Sequence, residues 1–212
     1  MSDLMNLYHR IKPDIESRLE EFRALWREGS DSDLFAELCF CICTPQNDAH
    51  KAFSAVTRLK ESGLLEHGEL ERIAALLQAN GVRFHNHKAA SIIKNRSTFF
   101  PQTKAQIAKI IQGGGRICVR DELAAQVSGW GLKEASHFLR NTGHGEGICI
   151  LDRHILRQLA GYAVIAAVPQ NLTKRLYWSI EQAMIHFAGK EEIPVDALDL
   201  LLWYKEKNEL FR

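Results

Sequence analysis

The chain has 212 residues, of which 46% are hydrophobic and 25% are charged, and this is the composition of a globular protein with a sizeable core. Its five cysteines do not form the even, regularly spaced set of a disulfide-stapled secreted domain. No apolar run approaches the roughly 18–20 residues that a membrane helix needs, and an acid at position 3 argues against a signal peptide. We therefore expect a reduced, cytoplasmic monomer that makes no membrane contact.

The spacing of apolar residues predicts helices along the whole chain. Ile15, Leu19, Phe22 and Trp26 recur at helical spacing, and Asp31 or Asp33 is expected to cap a helix over 34–43. Glycines, prolines and capping residues then delimit further helices at 51–61, 70–79, 87–99, 103–111, 122–127, 133–141, 152–159, 172–187 and 197–205, with Asp121 as the expected cap of the helix over 122–127. Because the few alternating stretches are short and scattered, the sequence predicts an all-α fold.

The charges are distributed unevenly along the chain. The net charge is only +1, but the segment 83–120 contains no Asp or Glu and carries +8, which leaves −7 for the rest. Its basic residues are Arg83, Lys88, Lys94, Arg96, Lys104, Lys109, Arg116 and Arg120. Such asymmetry indicates a face that binds phosphate, with Lys88 and Lys94 as contacts, although a chance cluster on a solvated surface gives the same count.

A short glycine motif joins two of the predicted helices. Val127-Ser128-Gly129-Trp130-Gly131 forms a hydrophobic-x-Gly-x-Gly pattern, in which two glycines allow the backbone to approach a phosphate closely. The helix that follows points its positive N-terminal end at the anion, so Gly129, Trp130 and Gly131 are predicted to bind DNA. By itself the motif is equally consistent with a plain turn between helices.

Two residues near this motif have the chemistry of a nucleophile and its partner. Lys133 lies two residues after Gly131, and Asp152 follows nineteen positions later. A helix N-terminus and partial burial both favour the neutral amine that nucleophilic attack requires. Taken singly, Lys133 could be a phosphate contact and Asp152 a helix N-cap. The two together predict a catalytic pair.

The segments 129–135 and 151–155 resemble the helix–hairpin–helix/Gly-Pro-Asp superfamily of DNA glycosylases. The closer resemblance, carried by the segments 133–141 and 198–205, is to the type-2 8-oxoguanine DNA glycosylase/AP lyase family. It implies a two-lobed fold with the catalytic cleft between the lobes. The first lobe would be a helical barrel, 33–147, with the hairpin at about 122–141, and the second would combine 1–32 with 148–212.

The same resemblance implies a reaction and a partner. Lys133 would attack C1′ of the damaged nucleotide in double-stranded DNA containing 8-oxoguanine, and the resulting Schiff base would permit β-elimination. Asp152 would help to deprotonate or orient the amine and would stabilise the developing positive charge on the sugar.

Six further residues are candidates for handling the flipped nucleotide. Gln46, with Asn47, is the candidate wedge that fills the gap in the duplex, although Pro45-Gln46-Asn47 also reads as an ordinary turn. Trp203 is the candidate stacking residue, unless it packs in the core, and Phe84 or His85 would form the opposite wall. Arg212 stands where the family has a terminal Lys that helps to distinguish 8-oxoguanine from guanine; the change alters the shape and donors of the cation.

The resemblance also bears on cofactors. Endonuclease III relatives hold an iron–sulfur cluster on a C-terminal four-cysteine motif, whereas this chain has no cysteine after Cys149, so we expect no cluster. We expect no metal at Cys39, Cys41 and Cys43, because helical spacing points their thiols in different directions. A monovalent cation on the hairpin carbonyls is compatible with the resemblance.

Three rival functions follow from the same residues. An endonuclease III-like glycosylase would act on another oxidised base, such as a pyrimidine, but the missing cluster cysteines and the Trp203–Arg212 tail disfavour it. A non-catalytic helix–hairpin–helix DNA-binding module needs neither Lys133 nor Asp152. A helical scaffold protein leaves the basic segment unexplained.

Overall fold

The computed structural model describes residues 3–211, and this range contains helices and turns without any strand, which confirms the predicted all-α fold. The helices are α1 (Asp3–Glu28), α2 (Asp31–Cys43), α3 (Ala49–Glu61), α4 (Leu64–His67), α5 (Leu70–Ala79), α6 (His85–Phe99), α7 (Thr103–Gln112), α8 (Arg116–Gln126), α9 (Leu132–Asn141), α10 (Arg153–Gly161), α11 (Lys174–Lys190) and α12 (Val195–Lys207). Over the same range, no helix combines the length and apolar character needed to cross a membrane.

Helix α2 begins with a complete capping box. The Ser30 hydroxyl accepts a hydrogen bond from the Asp33 amide, and the Asp33 carboxylate accepts one from the Ser30 amide at 2.8 Å. The expectation that Asp31 or Asp33 would be the N-cap was therefore wrong, because Ser30 holds that position and Asp33 lies in the first turn. Asp33 also receives a hydrogen bond from the Lys60 ammonium, which ties α2 to α3.

Asp33 gives the fold a predictable pH dependence. Hydrogen bonds from Lys60 and Ser30 lower the pKa of the Asp33 carboxyl to about 2. Because the folded-state pKa is depressed, this stabilisation is complete above the ordinary pKa of 3.8 and is lost as the pH falls towards 2. We expect Asp33→Asn to flatten the loss of stability in urea unfolding between pH 4 and pH 2. An unchanged pH profile in that window would contradict the assignment.

Two helices differ from the sequence prediction. Helix α8 begins at Arg116 with Gly115 as its N-cap, so the expected short helix over 122–127 starts too late and Asp121 is an interior residue rather than a cap. An aspartate followed by helix-forming residues resembles a cap, but here the three glycines at 113–115 end the loop earlier. The single-turn helix α4 was missed because four residues are too few to show a periodicity.

The structure divides into two compact units, and the first runs from Leu25 to Phe138. Within it, α2 packs against α3, α6 and α7, and α6 packs against α5. Helix α2 is the centre of this core, since every residue from Leu34 to Cys43 except Ala36 is buried. Burial raises the pKa of the Cys43 thiol to about 12, which keeps it neutral. Across residues 3–211, no group of three or more His, Cys, Asp or Glu is placed to hold a metal ion.

The second unit joins the chain up to Ala24 with the chain from Leu139 onward, and in it α12 packs against α10 and α11. The division falls inside α1 and α9, whereas the sequence analysis placed lobe boundaries at 33 and 147. Prolines, glycines and capping residues mark where helices end, so they give no signal for a division that falls within a helix.

Candidate active site

The hairpin turn that precedes α9 is held in place by a buried asparagine. Asn95, which is 1% exposed, donates from Nδ2 to the Ser128 carbonyl and accepts from the Ser128 amide through Oδ1, both at 2.9 Å. Gly129 follows with φ +89°, a conformation that other residues rarely adopt. The turn is therefore anchored to α6 through Asn95, and its backbone conformation at position 129 requires glycine.

We expect Gly129→Ala to destabilise the protein by about 1–3 kcal/mol, because the left-handed backbone disfavours a side chain. In addition, the new Cβ would lie 2.9 Å from Ser91 Oγ. Gly63→Ala is the matched control, since Gly63 has φ +70° but open space around the added Cβ. Urea unfolding should show a larger loss for Gly129→Ala than for Gly63→Ala; equal losses would mean that the Ser91 contact contributes nothing.

Glu134 closes the start of α9. Its Oε2 accepts from the Gly131 amide at 3.0 Å, which is one half of a capping box three residues into the helix. Its Oε1 lies 2.9 Å from the Lys133 ammonium. The Gly131 amide is thus not free to bind phosphate as the motif suggested, and the Trp130 amide likewise bonds to the Val127 carbonyl. The remaining attraction for an anion is the positive end of α9 itself.

Lys133 lies in the first turn of α9 with its side chain 22% exposed. Besides Glu134, its Nζ contacts Thr44 Oγ1 at 3.3 Å, in the turn after α2. The Thr44 hydroxyl donates in turn to the Cys41 carbonyl at 3.1 Å, so its lone pairs face the amine. Lys133 is therefore a partly buried amine held between two defined acceptors rather than a mobile surface lysine.

The turn after α2 presents Gln46 to solvent. Gln46 is exposed and has φ +58°, an unfavourable conformation for a residue other than glycine. Asn47, in contrast, is structural: Nδ2 donates to the Cys43 and Pro45 carbonyls at 2.9 and 3.0 Å, and Oδ1 accepts from the Arg83 amide at 2.6 Å. Backbone strain at an exposed residue whose neighbours hold it in place is a feature of functional sites. The strained backbone of Gln46 therefore favours Gln46 over Asn47 as the wedge.

Lys88 does not lie where the sequence analysis placed it. Instead of facing solvent as a phosphate contact, it is 7% exposed, and its Nζ donates to the Cys43 and Pro45 carbonyls at 2.8 and 2.9 Å. Lys94, six residues further along α6, is exposed and remains available to a phosphate.

The basic segment as a whole is also not one face. Besides Lys88, three of its cations are bound within the protein or buried: Arg96 donates to the Gly68 carbonyl at 2.9 Å, Lys104 donates to the Arg27 carbonyl at 3.0 Å, and Arg120 is 0% exposed. The exposed members are Arg83, Lys94, Lys109 and Arg116. The charge count was correct, but four of the eight cations donate hydrogen bonds to backbone carbonyls or lie in the interior.

The aromatic candidates of this unit differ in exposure. Trp130 is buried, with its ring 5.2 Å from that of Phe138, so its side chain belongs to the core and not to a DNA surface. Phe84 is 51% exposed, has φ +58° and carries the Arg83 guanidinium 5.6 Å from its ring centre. His85 is the first residue of α6 and is half-buried. Phe84 therefore offers the larger free aromatic surface.

Asp152 is the N-cap of α10, in the unit that begins at Leu139. Its carboxylate accepts from the amides of His154 and Ile155, each at 2.8 Å, and it is half-buried. Nearby, the buried Asp199 forms an ion pair with Arg140. Burial, opposed by Arg140 and assisted by the Asp152 charge, raises the pKa of Asp199 to about 6. Asp152 thus belongs to a small group of carboxylates with one buried cation.

Trp203 lies on α12 beside a polar network. Its ring is half-buried and meets the His154 ring at 5.1 Å in an edge-on arrangement. Glu206 accepts from Arg157 at 2.8 Å and from Gln158 at 3.0 Å, and its carboxylate also lies 3.1 Å from His154 Nδ1. The buried Trp203 indole N–H has no hydrogen-bond partner among the described residues. Arg212, the other base-recognition candidate of this segment, lies outside the described residues.

Three residues of the site were not identified from the sequence. Glu134 could have been, since it lies three residues after the Gly131 N-cap, which is capping-box spacing. Thr44 and Asn95 gave no local signal, because their partners Lys133 and Ser128 are 89 and 33 residues away. Contacts of this kind depend on the packing of α2 and α6 and have no pattern in a single sequence.

Comparison with known proteins places the chain among DNA repair enzymes. The family model for 8-oxoguanine DNA glycosylase, Ogg-HhH, matches residues 15–193. A protein of Fusobacterium nucleatum named 8-oxoguanine DNA glycosylase/AP lyase is 37% identical over 212 residues, which cover 100% of this chain and 97% of the relative.

Two solved structures are similar over nearly their whole length. The 8-oxoguanine DNA glycosylase of Thermotoga maritima is 32% identical with a TM-score of 0.87, covering 99% of this chain and 97% of the other. The 8-oxoguanine glycosylase/lyase of Methanocaldococcus jannaschii, in complex with a 15mer DNA containing 8-oxoguanine, is 27% identical with a TM-score of 0.87 and full coverage of both chains. Family match, identity and fold agree, and this chain belongs to the 8-oxoguanine DNA glycosylase family.

Proposed function

We propose that this protein excises 8-oxoguanine from duplex DNA and cleaves the resulting abasic site through a Schiff base on Lys133. The observation that carries the proposal is the placement of Lys133: a partly buried amine at the positive end of α9, between Thr44 and Glu134, in a chain that belongs to the 8-oxoguanine DNA glycosylase family. A phosphate-binding lysine needs neither partial burial nor two fixed acceptors.

Base excision and strand cleavage both proceed through the Lys133 amine. Neutral Lys133 attacks C1′, and the bond from C1′ to N9 breaks as the base leaves and takes up a proton. The C1′–N bond then becomes an iminium with opening of the sugar ring. Loss of a proton from C2′ expels the 3′ phosphate, so the strand is cut on the 3′ side of the lesion. Hydrolysis of the imine releases the enzyme.

Asp152 is assigned the acid–base and electrostatic part of this reaction. Its carboxylate already accepts two backbone hydrogen bonds, which fix its orientation before substrate arrives. A fixed carboxylate can accept a proton from an ammonium and can stabilise a positive sugar without reorganising. The half-buried position of Asp152 supports this role, because an enclosed charge acts more strongly than a solvated one.

Binding of the duplex is assigned to exposed groups of the unit 25–138. Gln46 would enter the gap left by the flipped nucleotide, and the N-terminal end of α9 together with Lys94 would contact phosphates. Trp203 and Phe84 remain the candidates for stacking on the extruded base. Part of each ring is exposed, and the Trp203 ring is held in place by His154.

Single-turnover excision on three duplexes tests the substrate assignment. The strands carry 8-oxoguanine opposite cytosine, dihydroxythymine opposite adenine, or undamaged guanine, and released base and nicked strand are quantified separately. We expect release and nicking on the first duplex, well above both others. Preference for dihydroxythymine would instead support the endonuclease III-like rival, and binding without release on any duplex would support the non-catalytic module.

A further inference from the structure

Lys88 is a buried cation that the proposed reaction does not yet use. It is 7% exposed, and burial lowers the pKa of its ammonium to about 8, so it is still mostly protonated at neutral pH. Enclosing an ammonium is costly unless its protons find acceptors, and here the Cys43 and Pro45 carbonyls lie at 2.8 and 2.9 Å. These two hydrogen bonds compensate the burial of the ammonium and hold the two carbonyls in place.

The same two carbonyls receive a second set of hydrogen bonds. Asn47 Nδ2 donates to the Cys43 carbonyl at 2.9 Å and to the Pro45 carbonyl at 3.0 Å. Each carbonyl is therefore held by an ammonium and by an amide at once. Both bonds of Lys88 bridge from α6 to the end of α2, so they fix a turn that local hydrogen bonds alone would leave adjustable.

The residue between these carbonyls is Thr44, whose hydroxyl accepts from Lys133 Nζ at 3.3 Å. The residue after them is Gln46, which is exposed in a left-handed conformation. A shift of the turn would thus move the acceptor that holds the amine and would also release the strained backbone that presents Gln46.

We propose that Lys88, aided by Asn47, is a positioning residue for the reaction, which holds Thr44 against the Lys133 amine and Gln46 towards the duplex through the Cys43 and Pro45 carbonyls. This inference rests on the proposed function. In this role Lys88 sets the geometry of the turn that holds the reacting amine, and it does not itself contact a phosphate.

Lys88→Met removes the donors while keeping a side chain of similar length. We expect the rate of borohydride-trapped adduct formation at saturating 8-oxoguanine duplex to fall by roughly tenfold to a hundredfold, since small misplacements of reacting groups have effects of this size. The salt dependence of DNA binding should stay unchanged, because Lys88 makes no phosphate contact that the variant could lose. Asn47→Ala, which weakens the same two carbonyl contacts from a half-buried site, should slow the reaction in the same way and serves as the second variant.

Three controls separate positioning from a general loss of structure. Lys190→Met makes the same chemical change at an exposed lysine of α11, and it should leave the rate unchanged. Thr44→Val, alone and combined with Lys88→Met, completes a double-mutant cycle: Lys88→Met should slow the Thr44→Val protein less than it slows the wild type if Lys88 acts through Thr44. Hydrogen exchange of peptides covering 43–48 should be faster in Lys88→Met at a temperature where circular dichroism shows every variant folded.

A wild-type saturating rate in Lys88→Met, or a lower affinity with a reduced salt slope, would overturn the proposal and restore Lys88 as a phosphate contact. Unchanged exchange over 43–48 would overturn it as well. Failure of the proposed function has a different result, namely no adduct with the wild-type protein, and in that case the exchange measurement still decides whether Lys88 holds the turn.

Discussion

Replacing Lys133 with Gln should abolish trapped adduct and strand cleavage, with a loss of at least about 10³-fold in single-turnover rate. An amide nitrogen is not a nucleophile, so no Schiff base can form. The fold should survive, because Gln is a good helix former and the Lys133 side chain is only partly buried. The measurement is gel quantification of the borohydride-reduced protein–DNA complex.

Binding measurements complete this experiment. Lys133→Gln should still bind the 8-oxoguanine duplex, because the exposed Gln46 and Lys94 and the N-terminal end of α9 are intact. Lys190→Gln, at an exposed site on another helix, is the matched control and should give the wild-type adduct. If Lys133→Gln formed adduct at a comparable rate, another amine would be the nucleophile and the assignment would be wrong.

The second large effect is expected at Asp152, where one carboxylate has two functions that can be separated. Asp152→Asn keeps an oxygen that accepts from the His154 and Ile155 amides, and Asn is as good an N-cap as Asp. It removes the negative charge and the ability to accept a proton. We expect thermal stability close to wild type and a rate of base release lower by about 10²–10⁴-fold.

Asp152→Ala is the companion variant. It removes cap and charge together, so it should add a loss of about 0.5–2 kcal/mol in stability, measured by urea unfolding, to the same loss of rate. If Asp152→Asn were fully active while Asp152→Ala was slow, the cap would be the only function of Asp152. In that case the acid–base assignment would fail even though the reaction through Lys133 could stand.

The sequence predicted those parts of the fold that local chemistry determines. Gly, Pro and capping residues placed most helix ends, and the Gly129–Gly131 motif was located with its lysine in the first turn of the following helix. The errors have the same local origin: Asp121 resembled a cap because an aspartate beside helix-forming residues usually is one, yet α8 begins five residues earlier at Arg116. Local patterns cannot choose between two adjacent starting points for a helix.

The site was harder to predict than the fold, and Lys88 shows why. From the sequence, a lysine in an acid-free segment is a phosphate contact, since most lysines face solvent. In the structure, the carbonyls of Cys43 and Pro45 are its acceptors, 45 and 43 residues away along the chain. A net charge summed over a segment says nothing about which of its cations are buried. The basic segment therefore indicated that the partner is negatively charged, but it did not show which residues form the surface that contacts this partner.

Trp130 and Gly131 illustrate a second limit. The glycine motif correctly located a turn, but it did not show that Glu134 occupies the Gly131 amide or that Trp130 packs on Phe138. Backbone groups that seem available in a motif are often satisfied by a neighbouring side chain, because unpaired amides are unfavourable in a folded protein. The capping-box spacing from Gly131 to Glu134 was the available signal for this.

The central claim is that the Lys133 amine forms the covalent bond to DNA, and peptide mapping of the reduced adduct tests it most directly. Trypsin cuts after Arg120 and normally after Lys133, but a lysine joined to deoxyribose is not cleaved. The labelled peptide should therefore run uncut from Asp121 to Arg140, with the sugar mass on Lys133. A label on any other peptide, with normal cleavage after Lys133, would contradict the account.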